Sequence, residues 1–316
     1  MRIFRHYENL PDDLKGAAIA IGNFDGVHLG HRGVIGEASR IARAAGIPWG
    51  VMTFEPHPRM FFKPDQPSFR ITPLRAKSHA IAALDADFMV VLRFDAELAG
   101  LSARDFVESV LVGSLGVSHV VCGYDFSFGK GREGDCEFLL HAGKDNGFGL
   151  TAVGAIDDPA GEAYSSTRVR TCLQNGDPKG AAALLDRPFE IAGRVNHGDQ
   201  RGRTIGFPTA NIHLDDYLEP RRGVYAVRAA IETTDEPVWI NGVANLGIRP
   251  TFDKTEPVLE VFVFDFDEDL YDRHLRVQLI DFIRPEQKFD GLDALKSQIA
   301  EDCERAKAIL ALADNT

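Results

Sequence analysis

Residues 17–31 read A-A-I-A-I-G-N-F-D-G-V-H-L-G-H, a short apolar run that leads into a glycine-rich turn with two histidines. The run from Ala17 to Gly22 predicts a buried strand, and residues 33–45 predict the helix that follows it. Glycine lets a backbone turn sharply and approach a ligand, and the start of a helix offers free amides to a phosphate. This order of elements predicts an α/β unit with a phosphate site at the turn.

The alternation of strand and helix patterns continues to residue 122. The further predicted elements are strands at 47–54, 88–92 and 117–122 and helices at 76–84 and 103–115. Strands separated by helices of this length pair in parallel through crossovers, so we expect a layered α/β domain.

After residue 186 the pattern changes to apolar, β-rich runs separated by turns that contain Gly, Pro or Asp. The predicted strands are 191–195, 223–231, 238–243, 259–266 and 275–283. With no helix between them, an antiparallel sheet or barrel is expected, closed by a helix over 292–311. Two short helices, 168–173 and 179–185, precede the change. We therefore predict two domains, residues 1–186 and residues 187–316.

The composition limits the partners of the chain. Its 316 residues include 35 Lys and Arg against 47 Asp and Glu, a net charge of -12, which argues against a protein that coats nucleic acid. A nucleotide ligand remains compatible with that charge. No apolar run approaches the ~18 residues of a membrane span, and the start of the chain has no signal-peptide pattern. The four cysteines form no C-x-x-C pair, so we expect a reduced, cytoplasmic protein.

His28 and His31 are the first candidate catalytic residues. Two imidazoles three residues apart at a strand-to-helix turn suit the charge that develops on a phosphoryl group under attack. The alternative is a glycine turn with two structural histidines. The chain contains no G-K-[ST] sequence, which excludes a P-loop.

Two further segments of the first half suit nucleotide or flavin binding. Ser165, Ser166 and Thr167 precede Arg168 at a predicted helix start, where hydroxyls act as simple caps or, beside a phosphate site, bind phosphate. Residues 123–132, G-Y-D-F-S-F-G-K-G-R, combine glycines, aromatic rings and cations that suit a planar ring and a phosphate. An exposed turn with half-buried aromatics is the alternative for this segment.

In the second half, residues 202–211 read G-R-T-I-G-F-P-T-A-N. Thr and Asn oxygens are neutral ligands that suit Mg²⁺ carried in with ATP, whereas the plainer interpretation is a proline turn between strands. Glu260 lies in the otherwise apolar run V-L-E-V-F-V-F at 258–264. By alternation it either faces solvent or is a partly buried general base.

Taken in order, these segments resemble one known family. They are G-N-F-D-G-V-H-L-G-H (22–31), F-E-P-H-P (54–58), G-Y-D-F-S-F-G-K-G (123–131), S-S-T-R-V-R (165–170), G-F-P-T-A-N (206–211), R-G-V-Y (222–225), N-G-V-A-N-L-G-I-R-P-T-F (241–252) and R-P-E-Q-K-F-D (284–290). Over nearly the whole chain they are similar to the bacterial bifunctional riboflavin kinase/FAD synthetases. The resemblance implies a nucleotidyltransferase-type, Rossmann-like parallel-sheet domain that adenylylates FMN. It also implies a six-stranded antiparallel β-barrel with a C-terminal helix that phosphorylates riboflavin, using ATP and Mg²⁺.

The resemblance also implies a role for each site residue. His28 and His31 would stabilise the transition state at the ATP α-phosphate, and Glu260 would deprotonate the ribityl hydroxyl of riboflavin. The residues implied to line the adenylylation site and bind its ATP are Gly22, Asn23, Phe24, Asp25, Gly26, Ser166, Thr167 and Arg170. The residues implied to hold FMN are Asp125, Phe126 and Phe128. The residues implied to bind ATP in the kinase half are Gly206, Pro208, Thr209 and Asn211, with Mg²⁺ held through Thr209 and Asn211.

The sequence departs from the family pattern at two positions. Tyr164 replaces the Ile of the usual I-S-S-T, and Phe262 replaces the His of the usual E-V-H. Three rival interpretations are a transferase for another nucleotidyl acceptor, an enzyme with one degraded site, and a non-catalytic flavin-binding regulator. The second domain argues against the first, and His28, His31 and Glu260 together argue against the other two. We therefore expect an enzyme that makes FMN and then FAD, with small-molecule substrates only.

Overall fold

A computed structural model describes residues 1–8, 10–196, 207–233, 236–250 and 255–313. Its internal contacts divide the chain into two units. The first comprises Met1–Pro67 and Lys77–Ser165, and the second comprises Ser68–Ala76 and Ser166–Thr316. The helical residues just before position 186 are thus grouped with the second unit. The limits 1–186 and 187–316 assign one activity to each stretch of the chain, and this assignment remains a prediction.

The first unit is built on a six-stranded parallel sheet. Its strands are β1 (Arg2–Phe4), β2 (Ala18–Ile21), β3 (Trp49–Glu55), β4 (Phe88–Arg93), β5 (His119–Gly123) and β6 (Gly149–Val153). They lie side by side in the order β1-β4-β3-β2-β5-β6. Strand β2 is buried throughout, as expected of a parallel strand covered on both faces. The predicted α/β layered class is confirmed.

Helices connect these strands. They are α1 (Leu29–Ala45), α2 (Pro58–Phe62), α3 (Leu74–Ala82), α4 (Ala96–Gly100), α5 (Ala103–Asp105), which runs into a π-helix (Phe106–Ser114), and α6 (Cys136–Asn146). Helix α1 begins at Leu29 rather than at the predicted Gly33 because the side chain of His28 caps it. The sequence analysis did not predict β1, α2, α4, α6 or β6. The last two pack together after the loop that follows β5.

The second unit carries a six-stranded antiparallel sheet in the order β7-β12-β9-β10-β11-β8. The strands are β7 (Phe189–Arg194), β8 (Ala210–His213), β9 (Gly223–Ile231), β10 (Ile240–Pro250), β11 (Thr255–Val263) and β12 (His274–Arg284), and the helices are α7 (Ser166–Asn175), α8 (Pro178–Leu185) and α9 (Leu292–Ala313). An antiparallel bridge between Asn196 and Asn211 joins the two edges. The predicted barrel is confirmed, although its short strand β8 was not predicted.

Helix α9 covers one face of the barrel. Cys303, Ala306 and Leu310 share an apolar cluster with Val224 and Val243 on the sheet. The arrangement gives the closing helix the hydrophobic face that its sequence pattern predicted.

A buried ion pair also joins α9 to β12. The Arg284 guanidinium donates to both carboxylate oxygens of Asp302 at 2.7–3.1 Å, and the Asp302 side chain is 4% exposed. The Gln298 amide donates to the same carboxylate at 3.2 Å. Removal of Arg284 would leave the Asp302 charge buried with one neutral donor.

Segment 68–76 and helices α7 and α8 contact the barrel. Arg70 forms an ion pair with Asp216, and its carbonyl accepts the Leu218 amide at 2.7 Å. Lys179 of α8 forms an ion pair with Asp281 of β12 at 2.5 Å. The second unit therefore includes chain from both sides of residue 165.

We expect Arg284→Met to destabilise the second unit by about 3–5 kcal/mol, the scale for stranding one partner of a buried ion pair. Amide hydrogen exchange resolves the two units and would measure this loss in β9 to β12. Arg194→Met is the matched control, because Arg194 and Asp272 are exposed by 60% and 64%, and it should cost less than about 1 kcal/mol. The double variant R284M/D302L should recover most of the loss. A loss that persists in the double variant would identify packing, rather than charge, as the cause.

Candidate active sites

The topology of the parallel sheet indicates where its ligand site lies. From β2 the chain adds β3 and then β4 on one side, where β1 forms the edge, and it then crosses to the other side of β2 to add β5 and β6. Ligands of such sheets bind beyond the carboxyl ends of the strands, at the point where the strand order reverses. Ile21 of β2 pairs with Cys122 of β5, so the loops that follow these two strands start side by side. Both loops are segments in which the sequence predicts a site.

The turn after β2 is tightly constrained. The Gly22 amide donates to the Met52 carbonyl at 3.1 Å. Phe24 and Val27 both have left-handed backbone conformations, with φ of 46° and 45°, and both side chains are buried. A Cβ at Gly22 would lie 2.9 Å from the Phe24 ring, so this position accepts only glycine without a shift of the ring. Asp25 is buried in the same turn, at 3% exposure.

His28 and His31 lie together at the start of α1. The Nδ1 atom of His28 accepts the backbone N–H of His31 at 3.3 Å, which caps the helix. An imidazole whose Nδ1 accepts a hydrogen bond carries its proton on Nε2. The two rings are stacked with their centroids 3.6 Å apart, and the Phe24 ring meets the edge of His31 at 5.4 Å. The arrangement presents a fixed N–H donor beside the free amides of a helix.

Tyr164 borders this turn. A Cβ at Gly30 would lie 3.3 Å from the Tyr164 Cβ and 3.1 Å from the His28 ring, so a larger residue here would need these neighbours to shift by a few tenths of an ångström. The departure from the family's usual Ile therefore changes a side chain that packs against the two-histidine turn.

The loop after β5 carries the residues predicted to hold FMN. Asp125 is exposed, whereas Phe128 is 7% exposed and packs its ring against Phe106, Phe126 and Phe138. Phe128 therefore anchors the loop to the apolar core of the first unit. Tyr124, which the sequence analysis did not single out, is the exposed aromatic of this loop, at 61%.

Ser166, Thr167 and Arg170 belong to the second unit, at the start of α7. Thr167 is exposed, and Ser166 is half-buried. The Arg170 guanidinium donates to the Phe69 carbonyl at 2.8 Å and lies 5.3 Å from the centre of the Phe69 ring. The assignment of these residues to ATP phosphates remains a prediction.

In the barrel, three polar side chains form one row across adjacent strands. Glu260 of β11 pairs with Asn211 of β8 on one side and with Asn245 of β10 on the other. Directly paired residues of antiparallel strands point to the same face, so the three side chains are neighbours. Glu260 and Asn245 are half-buried, and Asn211 is 5% exposed. Asn245 was missed in the sequence analysis, since an Asn in an apolar run gives no signal without the register.

The predicted ATP segment of the barrel is partly described. Thr209 is half-buried just before β8, and Pro208 is exposed. The Asn211 amide nitrogen contacts the Thr209 carbonyl at 3.4 Å, whereas its buried Oδ1 atom has no hydrogen-bond partner among the described residues. Gly206 lies outside the described residues.

A polar cavity of about 350 Å³ lies beside this row and is lined by Arg194, Asn196, His213, Asp215 and Glu256. His213 follows Asn211 by two residues on β8, so both side chains point to the same face. Burial raises the pKa of Asp215. The volume falls within the range of small-molecule sites.

Phe262 occupies the position of the family's usual His. Its ring meets the rings of Phe207 and Phe264 edge-on, with centroids 5.5 and 5.8 Å apart, and it packs against the apolar cluster under α9. The substitution extends that cluster towards Glu260, two residues earlier on the same face. Among the described residues, no group of three or more His, Cys, Asp or Glu side chains is placed to hold a metal ion.

Two family models match the chain in succession. The model described as FAD synthetase matches residues 10–168, and the model described as riboflavin kinase matches residues 185–310. Each falls on the half in which the corresponding motifs lie.

Curated relatives are similar over almost their entire length. The bifunctional riboflavin kinase/FMN adenylyltransferase of Escherichia coli (strain K12) is 43% identical over 303 residues, covering 96% of each chain. The protein of the same name from Bacillus subtilis (strain 168) is 41% identical over 295 residues, covering 92% of this chain and 91% of the relative.

A crystal structure described as the macrolide-efflux protein from Streptococcus pneumoniae matches with a TM-score of 0.81 at 30% identity, covering 95% of this chain and 96% of that one. Its description differs from the names of the curated relatives. In the part of this chain that the structure describes, no helix is long and apolar enough to cross a membrane. The likeness supports the two-unit fold, and the relatives with higher identity identify the activity.

Both family models and both full-length relatives agree with the motifs of the two halves. The chain therefore belongs to the bifunctional riboflavin kinase/FMN adenylyltransferases, enzymes that phosphorylate riboflavin to FMN with ATP and adenylylate FMN to FAD with release of pyrophosphate.

Proposed function

We propose that His28 and His31 carry the adenylylation of FMN by stabilising charge at the α-phosphate of ATP. An FMN phosphate oxygen attacks the α-phosphorus, pyrophosphate leaves, and no covalent enzyme intermediate is needed. The supporting observation is the cap of α1, because the bond from the His31 amide to His28 Nδ1 keeps the His28 proton on Nε2. A fixed N–H donor aimed at a developing negative charge needs no reorganisation during the reaction.

The remaining residues of this reaction bind and orient the substrates. The turn of Gly22, Asn23, Phe24, Asp25 and Gly26 lines the site of ATP, and Ser166, Thr167 and Arg170 bind its phosphates. Asp125 and Phe126 hold FMN directly, and the buried Phe128 acts by fixing the shape of their loop.

In the barrel, we propose that Glu260 is the general base for riboflavin phosphorylation. It accepts the proton of the terminal ribityl hydroxyl as that oxygen attacks the γ-phosphorus of ATP, and ADP leaves. Phosphoryl transfer is accelerated mainly by positioning and charge stabilisation. The supporting observation is the row of Asn211, Glu260 and Asn245, which places one half-buried carboxylate between two neutral amides.

The same row fits a divalent cation. The buried Asn211 Oδ1 atom has no hydrogen-bond partner among the described residues, and an amide oxygen of this kind suits Mg²⁺. We propose that Asn211 and Thr209 hold Mg²⁺ together with the ATP phosphates, and that Gly206 and Pro208 help to bind the ATP. When bound, the ion would neutralise phosphate charge.

We place both activities in the cytoplasm, with small molecules as the only substrates. All four cysteines are free thiols, and Cys122 and Cys136 lie with their sulfur atoms 3.6 Å apart. Thiols this close suit a reducing compartment.

Replacing either His28 or His31 by Ala should lower FAD formation by ~10²–10³, the scale for the loss of one preorganised donor. FMN formation by the same samples should be unchanged. The assay supplies FMN and ATP and counts FAD and pyrophosphate, with His141→Ala as a matched control because His141 is exposed on α6. Near-normal FAD synthesis in the double variant H28A/H31A would reduce both histidines to a structural role.

Glu260→Gln keeps size and polarity but removes the proton acceptor, so FMN formation should fall by ~10²–10⁴. Riboflavin affinity, read from flavin fluorescence, should persist, and conversion of supplied FMN to FAD should be unchanged. Glu304→Gln on α9 is the control, where the carboxylate side chain is 73% exposed. Loss of riboflavin binding together with rate would assign Glu260 to substrate binding instead, and unchanged turnover would remove it from the mechanism.

We further propose that residues 1–186 alone convert FMN to FAD and that residues 187–316 alone make FMN. A fragment of residues 166–316 should unfold at a higher temperature than 187–316, because it keeps the Lys179–Asp281 ion pair and the Arg221 amide bond to the Leu173 carbonyl. Thermal unfolding and both half-reactions, measured on all three fragments, test this. Folded fragments without activity would show that the two sites share residues across the boundary.

A further inference from the structure

Lys77 is a buried cation beneath the turn that follows β2. It lies on α3 and is 1% exposed, although lysine is rarely buried unless its ammonium group is paired. Its Nζ atom donates to the Asn23 carbonyl at 2.7 Å and contacts Thr53 Oγ1 at 3.3 Å. The ammonium group of Lys77 is therefore buried, and it contacts the backbone of the turn that we assign to adenylylation.

Thr53 completes this arrangement. It is fully buried on β3, and its Oγ1 atom donates to the same Asn23 carbonyl at 3.1 Å. Two donors from two different elements thus converge on one carbonyl oxygen. In a trans peptide the carbonyl and the following N–H point in opposite directions. The two donors therefore direct the Phe24 N–H away from Lys77.

The turn needs such an anchor. Phe24 and Val27 both adopt left-handed conformations that side chains with a Cβ rarely take, and such backbone persists only where its surroundings hold it. The Phe24 ring in turn contacts the edge of His31 at 5.4 Å. A rotation of the Asn23–Phe24 peptide would therefore move a ring that touches a catalytic histidine.

We propose that Lys77 is a positioning residue for FMN adenylylation, acting through the Asn23 carbonyl to hold the Phe24 peptide and the His31 ring in the reactive arrangement. Thr53 assists at the same oxygen. This inference rests on the proposed roles of His28 and His31. It assigns to a buried lysine of α3 a function that none of the recognised motifs contains.

The test compares four variants in the full-length enzyme: K77M, T53V, T53S and K77M/T53V. K77M removes the donor at similar length, T53V removes the hydroxyl at similar shape, and T53S keeps the hydroxyl as the matched control. Steady-state FAD formation is measured with ATP and FMN varied separately. Riboflavin kinase turnover of the same samples and the unfolding temperature report on integrity.

We expect K77M to lower kcat for FAD formation by ~10²-fold, the scale for a small misplacement of reacting groups. The KM for FMN should stay within about threefold, and kinase turnover should be unchanged. T53V should lower kcat by ~3–10-fold, as for the loss of one neutral hydrogen bond, while T53S resembles the unmodified enzyme. The double variant should be about as slow as K77M alone, because both side chains act on one carbonyl and their effects are not additive.

Several results would overturn the proposal. The first is a folded K77M enzyme whose kcat is within threefold of the unmodified enzyme. The second is a loss of kcat in K77M that equals the fraction of unfolded protein. The third is a pair of effects of K77M and T53V on kcat that multiply in the double variant. If K77M does not fold, the comparison of T53V with T53S tests the proposal, and equal rates of FAD formation in these two variants refute it. If His28 and His31 do not have their proposed roles, H28A/H31A will form FAD at the normal rate, and this result is distinct from those of the Lys77 and Thr53 variants.

Discussion

The site proposed for FMN adenylylation depends on the reversal of strand order between β2 and β5. Because these two strands are neighbours, the loops that follow them start side by side at one edge of the sheet. One loop turns into α1 and carries the two histidines, and the other carries the residues assigned to the flavin. The reversal thus brings residues about a hundred positions apart in the chain to the same edge of the sheet.

Strand register has the same importance in the barrel. Glu260, Asn211 and Asn245 form one row only because β11 pairs in a particular register with β8 and β10. A slip of one residue would turn Glu260 to the opposite face, where Leu259 and Val261 are now buried. Many residue pairs fix the register of β10 with β11, so the position of the Glu260 carboxylate depends on all of these pairs.

The sequence predicted most elements and both classes of sheet because apolar periodicity and glycine positions are local signals. It also placed His28 and His31 together at the strand-to-helix turn, and their catalytic role stays a prediction. It missed α6 and β6, which follow a long loop without a clear boundary, and β8, which is only four residues long. Lys77 and Asn245 were missed for another reason. Each is brought beside its partner only by the fold: Lys77 bonds to the Asn23 carbonyl, and Asn245 pairs with Glu260. A lysine on an amphipathic helix ordinarily indicates a solvated face, and only the burial of its ammonium reveals otherwise.

Segment 68–76 precedes β4 in the chain, yet its contacts are with residues made much later. Arg70 bonds to Asp216 and to the Leu218 amide, nearly 150 positions downstream. A ribosome adds residues from the N-terminus and domains tend to fold in that order, so this stretch must wait through the synthesis of β4, β5 and β6 before its partners exist. All six strands of the first sheet are therefore synthesised while nine residues that lie among them in sequence, Ser68–Ala76, still lack their barrel partners. Synthesis thus completes the strands of the parallel sheet before it supplies the barrel residues to which this segment is bonded.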